Sequence, residues 1–393
     1  MRFRALDGFR GLCALMVALY HFPVETHLTG RVFFLPHAQM LMDFFFVFSG
    51  FLIAGAYGER LKGWGDVARF ARGRVARLWP LHAVTLGVLV ALELAKAALA
   101  PGAGLQPPFT GAHAPAAILT NLLMIHSLHL HPMLTWNAPS WTVSVEIVAY
   151  LAFAVLTILL PRRRLAVAAG MALMGALGVA LIARKLDANY DFGLFRCFYG
   201  FFCGVLTARL WRARPFPAAA GRGVATLVEA AAMLGVFAYI TFLGGPPFGF
   251  AGPLVFSGFI WLYASERGGV TRSLSAGPLV RLGEISYSIY LIHFPIVVLT
   301  TVSLRSAERL LHVRLADFGY AGLDAMTFLS GPSTWILDGA MLAYLAVVIA
   351  AATQTHRLIE VPGRKLFDGL KAVRWPRFGR ARSKGAPAAA TAA

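Results

Sequence analysis

The chain is predicted to fold as an all-α, polytopic membrane helical bundle, and two observations predict it. Hydrophobic residues make up 58% of the 393 residues and charged ones only 14%, roughly half the charged fraction usual in a soluble domain. The apolar residues are also gathered into stretches of about 15–22 residues, the length a helix needs to cross a hydrocarbon core of about 30 Å. Ten such spans can be placed, near 8–26, 38–57, 78–99, 141–160, 165–183, 192–211, 223–243, 250–265, 283–303 and 335–355.

The first span follows Arg2 and Arg4, as the core of a signal peptide would. Arg10 and His21 interrupt it, and no small-residue cleavage site follows, so it is read as a retained helix. An ionisable group at membrane depth costs several kcal/mol unless a partner or a wet cavity receives it. Eleven steps of about 100° bring His21 back to within about 20° of Arg10, roughly 16 Å further along the axis. A cation and a titratable imidazole therefore line one wall of a helix. A snorkelling arginine and a packing histidine are the alternative.

The second span opens "MLMDFFFVFSGFLIAG". Asp43 near its start is expected at the depth of His21, because the two helices run antiparallel, and a carboxylate there would orient the ring and fix its tautomer, a helix-end Asp facing water being the alternative. The segment "DVARFARGRVARLWPLH" places Arg69, Arg72, Arg74 and Arg77 in a basic loop before the third span. Arginine forks match phosphate oxygens, so the cluster suits a polyphosphorylated ligand, although positive-inside topology alone would also put basic residues there. The piece 115–128, edged by His113, His126, His129 and His131, is too short to span and is read as a non-spanning helix.

The fourth span, "APSWTVSVEIVAYL", carries Glu146 into apolar surroundings. It either pairs with Arg10 or an arginine of the cluster, or it shapes an acceptor site. The ninth, "LGEISYSIYLIHFPIVVLT", brings Ser286, Tyr287, Tyr290 and His293, with His293 an alternative base or a packing residue. After the tenth, "HRLIEVPGRKLF" gives Glu360, Pro362 and Arg364 and reads as a helix stop at the membrane surface. Residues 1–360 are expected to form one membrane domain and 361–393 a basic tail, disordered toward its end.

With 115–128 kept out of the membrane, the loops on one side hold roughly three quarters of the 36 Lys and Arg. The positive-inside rule then puts both termini in the cytoplasm and the protein in the cytoplasmic membrane. The net charge of +18 follows from these loops; no motif of a nucleic-acid reader accompanies it. The long loops 100–140 and 304–334 lie outside, the second with room for a short amphipathic helix. Cys13, Cys197 and Cys203 have no ligand or disulfide spacing, so they are read as packing residues and no metal is expected.

The blocks "LDGFRGLCALMVALYHF", "DFFFVFSGFLI", "RVARLWPLH", "SWTVSVEIVAYL", "LGEISYSIYLIHFPI" and "IEVPGRK", in this order from residue 6 to residue 365, together resemble the acyltransferase-3 family of integral membrane O-acyltransferases. That group decorates bacterial surface polysaccharides, Nod factors and some secondary metabolites. The resemblance implies transfer of an acyl group, usually acetyl, from cytoplasmic acyl-CoA to a carbohydrate or glycolipid hydroxyl at the outer face. Its Arg-ten-His motif falls on Arg10 and His21, its "FFxxSGF" segment on Phe44 through Phe51, and its basic loop on Arg69 to Arg77. Ile147 stands where many members have a second acidic residue.

The resulting expectation is a catalytic set of His21, Asp43 and Glu146, with His21 as general base. Acetyl-CoA or another acyl-CoA would be held by Arg10, Arg69, Arg72, Arg74 and Arg77, and the acceptor by Ser49, Trp141, Tyr287 and His293. The competing class is a transporter or flippase of a glycan or lipid intermediate, which would favour paired broken helices in inverted repeats.

Overall fold

Helix α7 (Gly193–Ala213) is the axis around which the bundle is built, packed against α2 (Leu41–Tyr57), α5 (Trp141–Leu159), α6 (Arg164–Leu177) and α9 (Gly252–Tyr263). The α2–α7 contact is the most extensive, and glycines make it possible. A Cβ on Gly50 would overlap the Phe201 carbonyl, and one on Gly204 the Val47 carbonyl. Small residues let helix backbones approach closely where no hydrophobic effect drives association. Around this contact Phe44, Phe46, Phe48, Phe51, Phe201 and Phe202 are almost fully buried.

The computed structural model describes residues 2–22, 26–27, 35–99, 107–217, 221–312, 317–321, 326–330 and 333–369. Helix α1 (Arg4–His21) lies against α11 (Gly277–Glu284) and α12 (Ser286–Leu311). Helix α3 (Trp64–Leu99) packs on α5 and α12, the short α4 (Ala116–Leu122) leans on α3, and α8 (Arg222–Leu243) joins α9 and α10 (Gly269–Leu274). Helix α13 (Thr334–Thr355) packs on α12 and leads through a π-helical turn, His356–Glu360, into α14 (Val361–Gly369).

Among the described residues, seven helical segments are long and apolar enough to cross a membrane. The other three expected spans are the helices α1, α7 and α9. Helix α1 carries Arg4, Asp7 and Arg10, α7 carries Arg196, Arg209 and Arg212, and α9 has only 12 residues. Of these charges Asp7, Arg10 and Arg196 are answered inside the protein, as described below, and Arg4, Arg209 and Arg212 are exposed. The all-α membrane bundle expected from composition is thus the observed architecture. Cys13, Cys197 and Cys203 are free and buried in its core.

Three boundaries differ from the sequence reading. The expected basic loop at 58–77 is helical from Trp64, so α3 runs 36 residues, with Pro80 inside it. Alanine and arginine are good helix formers, no proline interrupts 64–77, and the helix carries Gly73 at a cost of about 1 kcal/mol. Helix α12 likewise continues to Leu311, and in place of an amphipathic helix the following segment holds a two-stranded antiparallel hairpin, β1 (Asp317–Ala321) with β2 (Met326–Ser330), in register Asp317↔Ser330. Pro362 does not stop the chain at the surface. It follows the π-helical turn His356–Glu360 in a helix that runs unbroken from Thr334 to Phe367, and α14 packs on α3 with Gly363 against the Pro80 ring. The expected tail is therefore helical through Gly369; its remainder, 370–393, lies outside the described residues.

Candidate active site

Two histidines from different helices meet at the end of the bundle opposite the start of α1. The rings of His21, the last residue of α1, and His293 of α12 lie with centroids 5.0 Å apart and planes inclined by 47°. Each is anchored to its own helix. His21 Nδ1 lies 2.9 Å from the Val17 carbonyl and His293 Nδ1 3.1 Å from the Ile289 carbonyl. A carbonyl only accepts, so both Nδ1 atoms carry the hydrogen and both Nε2 atoms carry a lone pair. His293 is fully buried, and its Nε2 has no hydrogen-bond partner. His21 is half-buried, at the helix end. Of the two, His21 is the more accessible ring.

Arg10 sits toward the other end of the same helix. Glycine backbones let α1 approach α11 so closely that a Cβ on Gly11 would overlap Gly283 and Leu282. In that contact Arg10 Nη2 donates to the Gly283 carbonyl at 2.5 Å and pairs with Asp7 at 3.3 Å, with its guanidinium 5.7 Å from the Phe48 ring centre. Its Nε is buried without a partner. Arg77 and Glu360 are also electrostatic neighbours of Arg10. The place the sequence reading held open for Glu146 beside Arg10 is thus occupied by Asp7, because an i,i+3 pair on one helix needs no tertiary partner.

The four arginines of the basic segment part company on α3. Positions 70, 74, 77 and 81 share one helical face, and there Arg74 stacks on Tyr57, Phe70 and Tyr150, its guanidinium 5.5, 5.6 and 5.9 Å from the ring centres. Its Nε is buried and unpartnered. Arg77 lies on the same face, near Arg10 and Tyr287. Arg69 points to solvent, 74% exposed, 3.6 Å from Asp66. Arg72, three residues on, lies beside Arg69 around the helix and is half-buried. The four therefore do not form one cluster: Arg74 and Arg77 face inward and Arg69 faces solvent.

Glu146 is half-buried on α5, one turn before Tyr150, and is an electrostatic neighbour of Tyr150, Tyr287 and Tyr290. Ser49 shares a 2.8 Å hydrogen bond with the Tyr150 hydroxyl, and Tyr287 donates to the Leu78 carbonyl at 2.6 Å. These groups line the interior between α2, α3, α5 and α12, between the arginine pair and the histidine pair.

Asp43 does not orient His21. Its two oxygens receive the Nε and Nη2 of Arg196 from α7, at 2.8 and 3.1 Å, in a pair buried on both sides. Arg196 also donates to the Gln39 carbonyl at 2.9 Å and lies 5.9 Å from the Trp141 ring centre. A guanidinium offers a carboxylate two parallel bonds and a full charge, whereas an imidazole offers one, so Arg196 takes the carboxylate. Trp141 accordingly serves as the lid of this ion pair, 7% exposed, against Phe46 and Gly193.

Sequence reasoning passed over Arg196, although "GLFRCFYGFF" gives the same signal as Arg10, a cation inside an apolar span. It also placed Glu360 at a membrane surface, whereas Glu360 is buried and bonded to Ser288 Oγ at 3.0 Å and His356 at 2.9 Å.

A family model described as an acyltransferase domain matches residues 3–353. The chain is 25% identical to "Acyltransferase MdmB" of Streptomyces mycarofaciens over 93% of each protein. It is 32% identical to "Protein 2 in picA locus" of Rhizobium radiobacter over 39% of this chain and 81% of that one. No solved structure matches it. With nearly the whole helical bundle inside that match, and with a free imidazole nitrogen and inward arginines at its two ends, the chain belongs to the acyltransferase-3 family of membrane acyltransferases.

Proposed function

We propose that the protein moves an acyl group, acetyl first among them, from cytoplasmic acyl-CoA to a hydroxyl of a carbohydrate or glycolipid at the outer face of the cytoplasmic membrane. His21 is the general base. The observation that carries this reading is the alignment on α1 of His21, whose Nδ1 is held by the Val17 carbonyl, with Arg10 about three turns away. The basic loops put the Arg10 end in the cytoplasm under the positive-inside rule.

Arg74 and Arg77, turned inward from α3, suit the phosphates of coenzyme A, and Arg69 and Arg72 extend the positive mouth beyond them. The interval of roughly 16 Å from Arg10 to His21 is comparable to an extended pantetheine arm, so the thioester reaches the histidine pair. The acceptor O–H gives its proton to His21 Nε2 as its oxygen attacks the thioester carbonyl. The C–O bond forms, the C–S bond breaks, and the departing thiolate recovers the proton as coenzyme A thiol. Glu146, with Ser49 and Tyr150, shapes the passage between the two ends. Family membership, and a relative itself named an acyltransferase, favour this reading over a flippase.

The test is turnover of radiolabelled acetyl-CoA by the purified protein in lipid nanodiscs. Release of coenzyme A thiol that disappears in His21→Ala is the expected result. Unchanged release in that variant overturns the assignment.

A further inference from the structure

Beside the histidine pair lies a second buried polar group that the acyl-transfer chemistry does not use. His82 of α3, Asn121 of α4, and Ser127 and Asn137 of the segment joining α4 to α5 are 0%, 0%, 1% and 1% exposed. His82 is tied to Asn121 and, through Thr85, to Asn137, while Ser127 is held by its backbone N–H on Ser144 Oγ of α5 at 3.1 Å. His82 Nε2 donates to the Asn121 backbone carbonyl at 2.8 Å. The Asn121 amide donates to the Ala117 carbonyl and to Thr135 Oγ1, at 2.8 and 2.9 Å. The Asn137 amide donates to Thr85 Oγ1 at 3.3 Å and to the Leu291 carbonyl at 3.0 Å, two residues before His293. The rings of His82 and His126 stack at 5.6 Å with planes 9° apart, and His126 shares a 3.1 Å bond with Ser140.

These bonds consume the donors. His82 has spent its ring N–H, and both asparagines have spent both amide hydrogens. What remains is His82 Nδ1, His126 Nδ1, Asn121 Oδ1, Asn137 Oδ1 and Ser127 Oγ, all five buried without a hydrogen-bond partner. The free atoms of His82, Asn121 and Asn137 are lone pairs that can only accept. Buried acceptors without donors are rare in folded proteins, and several in one connected group call for a molecule that supplies O–H groups. His82, Asn121, Ser127 and Asn137 carry no formal charge, and their free lone pairs would repel a phosphate.

We infer that His82, Asn121, Ser127 and Asn137 form the pocket for a neutral, polyhydroxylated part of the acyl acceptor, whose hydroxyl hydrogens the free lone pairs receive. The inference rests on the acyl-transfer reading and adds to it the residues that select the acceptor. Asn137 bonds the Leu291 carbonyl, two residues before His293 and about 3 Å from it along the axis of α12, and in the complex one hydroxyl of the bound molecule reaches His21 while others are held. A pocket built to hydrogen-bond hydroxyls discriminates strongly against ligands that lack them.

The test compares two rates in membranes of the producing cells, which contain the natural acceptor, and in nanodiscs, which do not. The first is incorporation of label from acetyl-CoA into envelope glycans and lipids, and the second is acceptor-free hydrolysis of acetyl-CoA. Ser127→Ala removes a hydroxyl whose oxygen makes no bond within the protein, and Asn137→Leu removes the free carbonyl at similar volume. Incorporation is expected to fall about fivefold in Ser127→Ala, with hydrolysis and the KM for acetyl-CoA unchanged, and tenfold or more in Asn137→Leu, which also loses the amide bonds to Thr85 and the Leu291 carbonyl. Equal incorporation by Ser127→Ala and wild type means that water alone fills the group, and the proposal falls. A matched loss of both rates in Ser127→Ala also overturns it, since the residue is then merely structural. If wild type itself turns over no acetyl-CoA, the acyl-transfer reading fails, and this one with it.

Discussion

His21 and His293 face each other at a centroid distance of 5.0 Å, and each has its Nδ1 tied to the carbonyl one turn back along its own helix. The two rings are thus fixed in orientation by backbone, with no carboxylate involved. The anchoring carbonyls do what an aspartate does in a catalytic triad, selecting the tautomer that leaves Nε2 free.

From the difference in access we expect the two histidines to differ in weight. His21→Ala should lower acyl transfer by about a hundredfold or more, the usual effect of removing a general base. His293→Ala should cost about tenfold, since the sealed ring supports its neighbour. Steady-state rates of the purified variants check this. A reversed order would make His293 the base.

Asp43 and Arg196 should behave as a structural pair. Breaking a buried ion pair from one side costs about 3–5 kcal/mol, because the other charge is left without a partner. Asp43→Asn and Arg196→Met should each lower the unfolding midpoint by several degrees, and the double variant Asp43→Leu, Arg196→Met should recover part of the loss. Thermal denaturation in detergent measures it. A stable Asp43→Asn with a tenfold lower rate would instead restore a role for Asp43 in the chemistry.

The split of the arginines on α3 predicts a split in donor binding. A charge-assisted hydrogen bond is worth about 1.5–3 kcal/mol, so Arg74→Ala and Arg77→Ala should each raise the KM for acetyl-CoA tenfold or more. Arg69→Ala should stay within about twofold of wild type, because that side chain is 74% exposed beside Asp66. Donor titrations at fixed acceptor decide it, with equal effects at all three positions arguing for diffuse attraction at the membrane surface.

Close packing of α2 on α7 yields a further expectation. Gly50→Ala and Gly204→Ala each drive a methyl group into a backbone carbonyl of the partner helix, and overpacking of this kind costs about 1–3 kcal/mol. Both should reduce the yield of folded protein and its midpoint of denaturation. Gly55→Ala, where a Cβ meets nothing within 4 Å, is the control expected to be neutral.

Much of this molecule is local and was therefore legible in the amino-acid order. Runs of apolar residues set the helices, since backbone hydrogen bonds must close within the segment where no water can answer them. The shared face of Arg10 and His21 followed from helical geometry alone, and six blocks of residues carried the family. Helix ends were harder: Val361–Gly369 packs on α3, a contact that no neighbour along the chain announces, and Trp64–Arg77 extends α3 beyond the expected span. The choice of partner for each buried charge belonged wholly to tertiary structure. Depth suggested His21 for Asp43, yet Arg196, 153 residues further on, arrives on α7 with two donors and a full charge. The same holds for His82, Asn121, Ser127 and Asn137, which read as ordinary polar residues until the fold seals them together. Sequence spacing orders groups along one helix, and only packing decides which groups on different helices are left facing one another without water.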